Sequence, residues 1–258
     1  MTPAPASFRA RFLAGDLLLG AFIKTPTPHA TEILGGVGFD FVVIDEEHAP
    51  FDRVTIDTVL LAARASQTAG LVRVAEPTPA RLLAALDDGA AGVLAPHVAS
   101  VEKAKDVVAA CRYRGGKRGF SNSPRAGGYG KLGVWDHVDA ADASVAVIAM
   151  IEDPEALDAI DAIVAVEGLD GVFIGRGDLT VAMGATGPAD PRVRAAAQTI
   201  TAAARTAGKP VCIMVADAKE AQDWRALGAS AFIVGSDQGF LRQSALRTRT
   251  EFSALPAR

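Results

Sequence analysis

Residues 145–178 read VAVIAMIEDPEALDAIDAIVAVEGLDGVFIGRGD, and this stretch decides the fold. An apolar, β-branched run ends on Glu152. Asp153-Pro154 then opens a segment of helical period, with the aspartate placed to cap it and the proline in its first turn. After Gly168 and Gly171 a second apolar run ends at Asp178. Neither run alternates between polar and apolar residues, the pattern of strands covered on both faces by helices, as in a parallel sheet. The stretch is therefore a strand–helix–strand unit, and it delivers a carboxylate at or just beyond the end of each strand.

Working outward, the same alternation runs through the chain. Strands are expected at LLLGAFIK (17–24), FDFVVID (39–45), GLVRVA (70–75), GVLAPHV (92–98), VAVIAMIE (145–152), GVFIGRGD (171–178), PVCIMVA (210–216) and AFIVGSD (231–237). Helices are expected between them, for example at 78–90, 100–112, 153–166, 191–208 and 218–229. Eight uniformly apolar strands, with no Gly-x-Gly-x-x-Gly after the first, predict a (β/α)8 TIM barrel rather than an open doubly wound sheet. The chain reads as a single barrel domain over 1–258. Residues 115–140, rich in Gly, Ser, Asn, Pro and Arg, interrupt the alternation and are expected to form a long loop over the active site.

Composition narrows the function classes. The 258 residues are 50% hydrophobic and 22% charged with a net charge of −4, which suits a sizeable core and gives no basic patch for nucleic acid. The two cysteines, Cys111 and Cys212, sit in apolar contexts and do not make a disulfide framework. No stretch looks like a secretion signal or a membrane span, so a cytoplasmic protein acting on small molecules is expected. Arg176-Gly177-Asp178 matches an integrin-binding tripeptide, which has no meaning for such a protein.

Barrel enzymes carry their chemistry at the C-terminal ends of the strands, so what each strand ends on is informative. In chain order the strands close near Phe22 and Lys24, on Asp45 to His48, on Arg73, on His97, on Glu152, on Asp178, on Asp217 and on Asp237. Asp153 and Asp217 read as caps of the following helices. Glu152 and Asp178 are left as a pair of carboxylates on adjacent strands, enough to hold Mg2+ or Mn2+ with positions remaining for water and a chelating substrate. Gly175 and Gly177 allow close approach, and the N–H groups at 177 and 178 could bind a substrate carboxylate. Arg73 ends an apolar strand and needs an anionic or carbonyl partner, either substrate oxygen or an internal bridge to Asp45 or Glu47. His48, flanked by carboxylates, is the best general base of the four histidines. His29 and His137 are expected in loops. His97 is read as equally suited to a structural hydrogen bond.

Taken together, VVIDEEHAPFD, LVRVAEP, LDDGAAGVLAPHV, GGKRGFSNSPRAGGYG, the 151–184 segment beginning IEDPEALDA and the VGSD near the end resemble the HpcH/HpaI family of class II pyruvate aldolases, over essentially the whole chain. The resemblance implies a divalent metal ion (Mg2+, Mn2+ or Co2+) and reversible cleavage of 4-hydroxy-2-oxoacids to pyruvate or hydroxypyruvate plus an aldehyde. It also implies a homohexamer, a trimer of dimers with an exchanged last helix. It puts the metal carboxylates at Glu152 and Asp178, the enolate-stabilising arginine at Arg73 and the base at His48. Asp87, reaching in from a neighbouring subunit, would orient that histidine. Gly177 would bind the substrate carboxylate through its N–H, and Phe22 and Val215 would line the aldehyde pocket. Met150 and Arg176 depart from the family's usual glutamine and proline, and Met150 falls at a substrate-contacting position. Three other functions compete: a Schiff-base aldolase using Lys24, the only lysine at a strand end; a citrate-lyase-type enzyme acting on acyl-CoA esters; and a non-catalytic barrel that binds 2-oxoacids.

Overall fold

The computed structural model describes residues 7–255. Eight strands close in sequence order into a barrel: β1 (Leu18–Ile23), β2 (Phe41–Asp45), β3 (Ala69–Arg73), β4 (Gly92–Ala95), β5 (Ala146–Ile151), β6 (Gly171–Ile174), β7 (Val211–Met214) and β8 (Ala229–Ser236). Every neighbouring pair is parallel, and β8 returns to β1. Helix α1 (Phe8–Leu13) precedes the barrel. Around it lie α2 (Pro28–Gly36), α3 (Arg53–Ala65), α4 (Pro79–Asp87), α5 (Val101–Cys111), α6 (Val134–Ser144), α7 (Ile160–Val164), α8 (Arg176–Ala182), α9 (Pro191–Thr206), α10 (Ala218–Leu227) and α11 (Asp237–Ser253). This is the (β/α)8 fold expected from the strand pattern, in a single domain.

Because strand side chains alternate between faces, the barrel has two cores. Phe41, Val43, Leu71, Leu94, Ile148, Met150, Phe173 and Ile233 fill the interior, and Phe8 and Phe12 of α1 join this cluster. Val42, Ile44, Val72, Val93, Val147, Ile151, Val172 and Ile174 face the helices. Gly20 is required by this packing: a Cβ there would lie 2.3 Å from the Phe41 ring. The ring occupies the volume that a side chain on β1 would otherwise fill.

Three expectations about local structure are corrected. The 153–166 segment does not form one helix; Pro154–Ala159 winds as a 3-10 helix and only Ile160–Val164 is α-helical. That winding buries Ala156, Ile160, Ile163 and Val164 against the sheet. Secondly, the 115–140 segment is not one loop, since it contains a 3-10 turn at Arg125–Gly127 and the start of α6. Nor does it cover this chain's own site: it follows α5 and so leaves from the end opposite the strand C-termini. Its bonds run to α3 and α4, from Arg118 to Asp87 and from Arg125 to Asp57 and Asp88. Finally, His29 and His137 lie in α2 and α6 rather than in loops.

The last helix, α11, buries none of its residues, and Leu241, Leu246 and Phe252 are 73%, 58% and 68% exposed. No helix among the described residues is long and apolar enough to cross a membrane.

Candidate active site

At the C-terminal end of the barrel the four ionisable groups that follow Ile44 are sorted to different partners. Asp45, the last residue of β2, has no exposed surface and accepts one hydrogen bond from Arg73, Nε to Oδ1 at 2.9 Å, with Nη2 in ionic contact with Oδ2 at 2.7 Å. Lys24 Nζ reaches the same Oδ2 at 2.7 Å. Burial pushes the Asp45 carboxyl up, but Arg73, Lys24 and the His48 N–H outweigh it and hold the group below the usual carboxylate range. Glu46 turns aside to Arg81 and the Ala75 N–H. Glu47 returns to the mouth, with Oε2 at 3.2 Å from Arg73 Nη1. His48 stands in the turn, its side chain 54% exposed and Nε2 at 3.7 Å from Glu47.

Arg73 is 6% exposed at the end of β3, with its guanidinium 4.9 Å from the centroid of the Phe22 ring. Its Nε–H is hydrogen-bonded to Asp45 Oδ1, while Nη2 and Nη1 make ionic contacts with Asp45 Oδ2 and Glu47 Oε2 and carry N–H groups that another oxygen could take. Both partners considered from sequence alone, Asp45 and Glu47, are therefore present. Together with Phe22 they lock the guanidinium plane.

Glu152, 2% exposed beyond β5, accepts the His97 N–H at 2.8 Å. Its carboxyl is pushed up to about 7, by burial first, with the charges of Asp178 and Glu47 adding to the rise against the opposing effect of His97. Glu47 Oε2 is buried and has no hydrogen-bond partner. Carboxylates held together with too little compensation are what a hard cation relieves. Among the described residues no three His, Cys, Asp or Glu side chains close around one point. Glu152, with the charge of Asp178 near it, could hold such a cation.

Asp178 sits in the first turn of α8 rather than on β6 itself, because the strand ends at Ile174 and Gly175 begins the helix. A Cβ at Gly175 would lie 2.4 Å from Glu152 Cβ, so glycine is needed there for Glu152 to keep its place. Gly177, by contrast, borders open space. Arg176 turns outward, with Nη1 on Glu220 at 2.6 Å and its guanidinium 5.6 Å from the Trp224 ring. Its Nη2 donates to the carbonyl of Met214 at the end of β7.

The remaining predicted residues are placed less centrally. Met150 (1% exposed) and Phe22 (5%) belong to the interior cluster and form the floor of the mouth. Val215 is buried in the outer core, while Met214, two residues after the inward-facing Cys212, is 43% exposed at the end of β7. A place for Val215 in the pocket is implied by the resemblance alone; the alternation from Cys212 leaves Met214 as the exposed side chain at that strand end. Asp87 ends α4 and is bound by Arg118 Nη2 at 3.1 Å; among the described residues it does not pair with His48. Asp217 caps α10 as expected, accepting from the Glu220 N–H at 2.8 Å. Asp153 makes no cap bond and instead faces His97 Nδ1 at 3.1 Å. Asp237 accepts the Lys24 and Thr25 N–H groups at 2.8 and 3.0 Å, tying β8 to the end of β1.

The C-terminal mouth of this parallel barrel gathers an arginine, several acids and a rim histidine, at the end where barrel enzymes carry their chemistry. The chain belongs to the HpcH/HpaI aldolase/citrate lyase family, whose sequence model matches residues 18–244. It is 37% identical to a 5-keto-4-deoxy-D-glucarate aldolase of Enterobacter sp. (strain 638) over 253 residues, covering 96% of this chain and 97% of that one. Among solved structures it resembles an HpcH/HpaI aldolase/citrate lyase family protein from Burkholderia cenocepacia J2315, with a TM-score of 0.89 and 28% identity over 95% of this chain and 98% of that one. It also resembles the citrate synthase SbnG, with a TM-score of 0.87 and 31% identity over 96% and 99% of the two chains. The protein is accordingly an aldolase, a carbon–carbon lyase of the class that cleaves hydroxy-oxoacids with a divalent cation.

Proposed function

We infer that this aldolase cleaves 4-hydroxy-2-oxoacids of the 5-keto-4-deoxy-D-glucarate type, releasing pyruvate or a close 2-oxoacid such as hydroxypyruvate together with an aldehyde. The observation that carries this reading is the convergence of Glu152, Asp178 and Arg73 on one mouth. There a buried carboxyl is driven up to about 7 beside a second acid, and a guanidinium held by Asp45 and Glu47 keeps N–H groups for another oxygen. The similarity to sugar-acid aldolases over nearly the whole chain supports the substrate class.

Glu152 and Asp178 would hold the cation, Mg2+ or Mn2+ with Co2+ as a substitute, and the ion when bound acts as a Lewis acid toward the carboxylate and keto oxygens of the 2-oxoacid. The chain's own residues do the rest. Arg73 directs its free N–H groups to the oxygen on which negative charge develops, and the Asp45 and Glu47 bonds keep it from swinging away. Gly177 offers an amide and space for the substrate carboxylate. Phe22 and Met150 exclude water beneath the reacting carbons, and the aldehyde portion extends toward Met214. His48 at the rim exchanges a proton with the 4-hydroxyl, and Asp87 of a neighbouring copy orients it. A hexamer with α11 exchanged between copies is consistent with that helix burying nothing on its own chain.

Lys24 is a poor Schiff-base nucleophile, since its Nζ is committed to the buried Asp45 and would have to give up that ion pair. The likeness to a citrate synthase supports a second reading, in which the same site joins an acyl donor to a 2-oxoacid. One assay separates these readings. Pyruvate release from 5-keto-4-deoxy-D-glucarate that stops with EDTA and returns with Mg2+, Mn2+ or Co2+ supports the aldolase. Citrate formation without such release supports the second reading, and borohydride trapping of Lys24 on pyruvate would support the Schiff base.

A further inference from the structure

His97 is one of three non-glycine residues with a left-handed backbone among those described, with φ 53°. In this conformation its N–H points at Glu152 Oε1, 2.8 Å away. Its ring is anchored as well: Nδ1 lies 3.1 and 3.2 Å from the two carboxylate oxygens of Asp153, and Nε2 lies 3.6 Å from Glu47 Oε1. Asp153 is available for this because it makes no cap bond, although it stands at the start of a 3-10 helix. The next amide, that of Val98, donates to the Met150 carbonyl at 3.1 Å, so the turn after β4 is stitched to β5 on both sides of the acid.

A left-handed residue that is not glycine persists only where its surroundings enforce it, and such residues cluster at functional sites. Here the enforcing contact is the imidazole on Asp153, and the consequence falls on the orientation of Glu152. We propose that His97 is a positioning residue for the cation site. Its ring, held by Asp153, maintains the left-handed turn, and the amide of that turn fixes Oε1 of Glu152 so that Oε2 is presented to the ion alongside Asp178. This rests on the reading that Glu152 and Asp178 hold the divalent cation. A partner that orients a metal ligand from behind commonly sets affinity by about 10- to 100-fold.

The test is Mn2+ affinity of the purified full-length protein, measured by calorimetry without substrate, on the wild type and on His97→Asn, His97→Val, Asp153→Ala and Glu152→Gln. Asparagine tolerates a left-handed backbone and its amide can donate to Asp153, so His97→Asn should bind close to wild type. Valine disfavours the turn and Asp153→Ala removes its anchor, so both should bind about 10- to 100-fold more weakly. Should His97→Val not fold, Asp153→Ala carries the comparison, with circular dichroism as the check on its fold. If the wild type binds Mn2+ and Glu152→Gln does not, yet His97→Val and Asp153→Ala bind like wild type, His97 only stitches β4 to β5 and the inference is wrong. If Glu152→Gln binds Mn2+ as well as the wild type, the cation reading itself is at fault.

Discussion

Asp45 and Arg73 end neighbouring strands and face each other in an ion pair with one hydrogen bond, Nε to Oδ1, and almost no solvent access, Asp45 at 0% and Arg73 at 6%. Their Cα atoms are partners in the β2–β3 register, so backbone pairing and side-chain pairing enforce the same geometry. Breaking such a pair from one side leaves the other charge buried and uncompensated.

Asp45→Asn should therefore destabilise the fold by about 3–5 kcal/mol, since Arg73 and Lys24 would share a neutral partner. The urea midpoint measures this. Turnover should fall in the surviving folded fraction because the guanidinium plane is no longer fixed. An unchanged midpoint would mean that Glu47 alone suffices to hold Arg73.

Arg73→Ala should still bind Mn2+ yet lose about 10²–10³ in kcat, the usual cost of one oxyanion donor. Arg73→Lys should recover only part, because a point-charge ammonium cannot replace a planar fork already engaging Asp45 and Glu47. Full activity in Arg73→Lys would reduce the arginine to a charge without geometric role.

Stability in EDTA should fall as pH rises between about 4.5 and 7. A folded-state carboxyl raised to about 7 binds a proton that the unfolded chain has lost by about 4.5, so the folded state is favoured at the acidic end of that window. His97, raised by its contacts with Asp153, Glu152 and Glu47 despite burial, works in the same direction, its contribution being lost as pH climbs through its folded value. Added Mn2+ should flatten the profile, and a stability that instead rises over this window would contradict the assignment of Glu152. Thermal melts in EDTA at a series of pH values read this directly.

Gly175→Ala should weaken Mn2+ binding without touching either acid, because its methyl group must displace the Glu152 stem now 2.4 Å from that position. Calorimetry of the folded variant, compared with Gly177→Ala at a position bordered by open space, isolates the steric effect. Equal affinities in the two variants would show that Glu152 adapts.

Much of this site was legible in the strand pattern, and the physical reason is periodicity. The uniformly apolar runs set eight strands, and their ends placed Arg73, Glu152 and His48 at one mouth. What was not legible depends on contacts between strands distant in sequence. At a strand end after Pro96, His97 suits a structural hydrogen bond as well as catalysis, and the sequence does not show that Asp153, which reads as a helix cap, is its partner. Val215, implied as a pocket residue by the resemblance, is buried in the outer core, whereas Met214 is 43% exposed at the end of β7. The 115–140 segment was placed over the mouth on composition, whereas its position after a helix puts it at the opposite end.

The central claim is that Glu152 and Asp178 hold a divalent cation on which a 2-oxoacid is enolised. Proton NMR of pyruvate in deuterated water measures it most directly, through loss of the methyl signal on incubation with the enzyme. The wild type should exchange methyl protons with Mg2+ present, stop after EDTA and resume on adding Mg2+, while folded Glu152→Gln and Asp178→Asn should not exchange under any of these conditions. Exchange that continues at the wild-type rate in EDTA, or in either variant, would contradict the account.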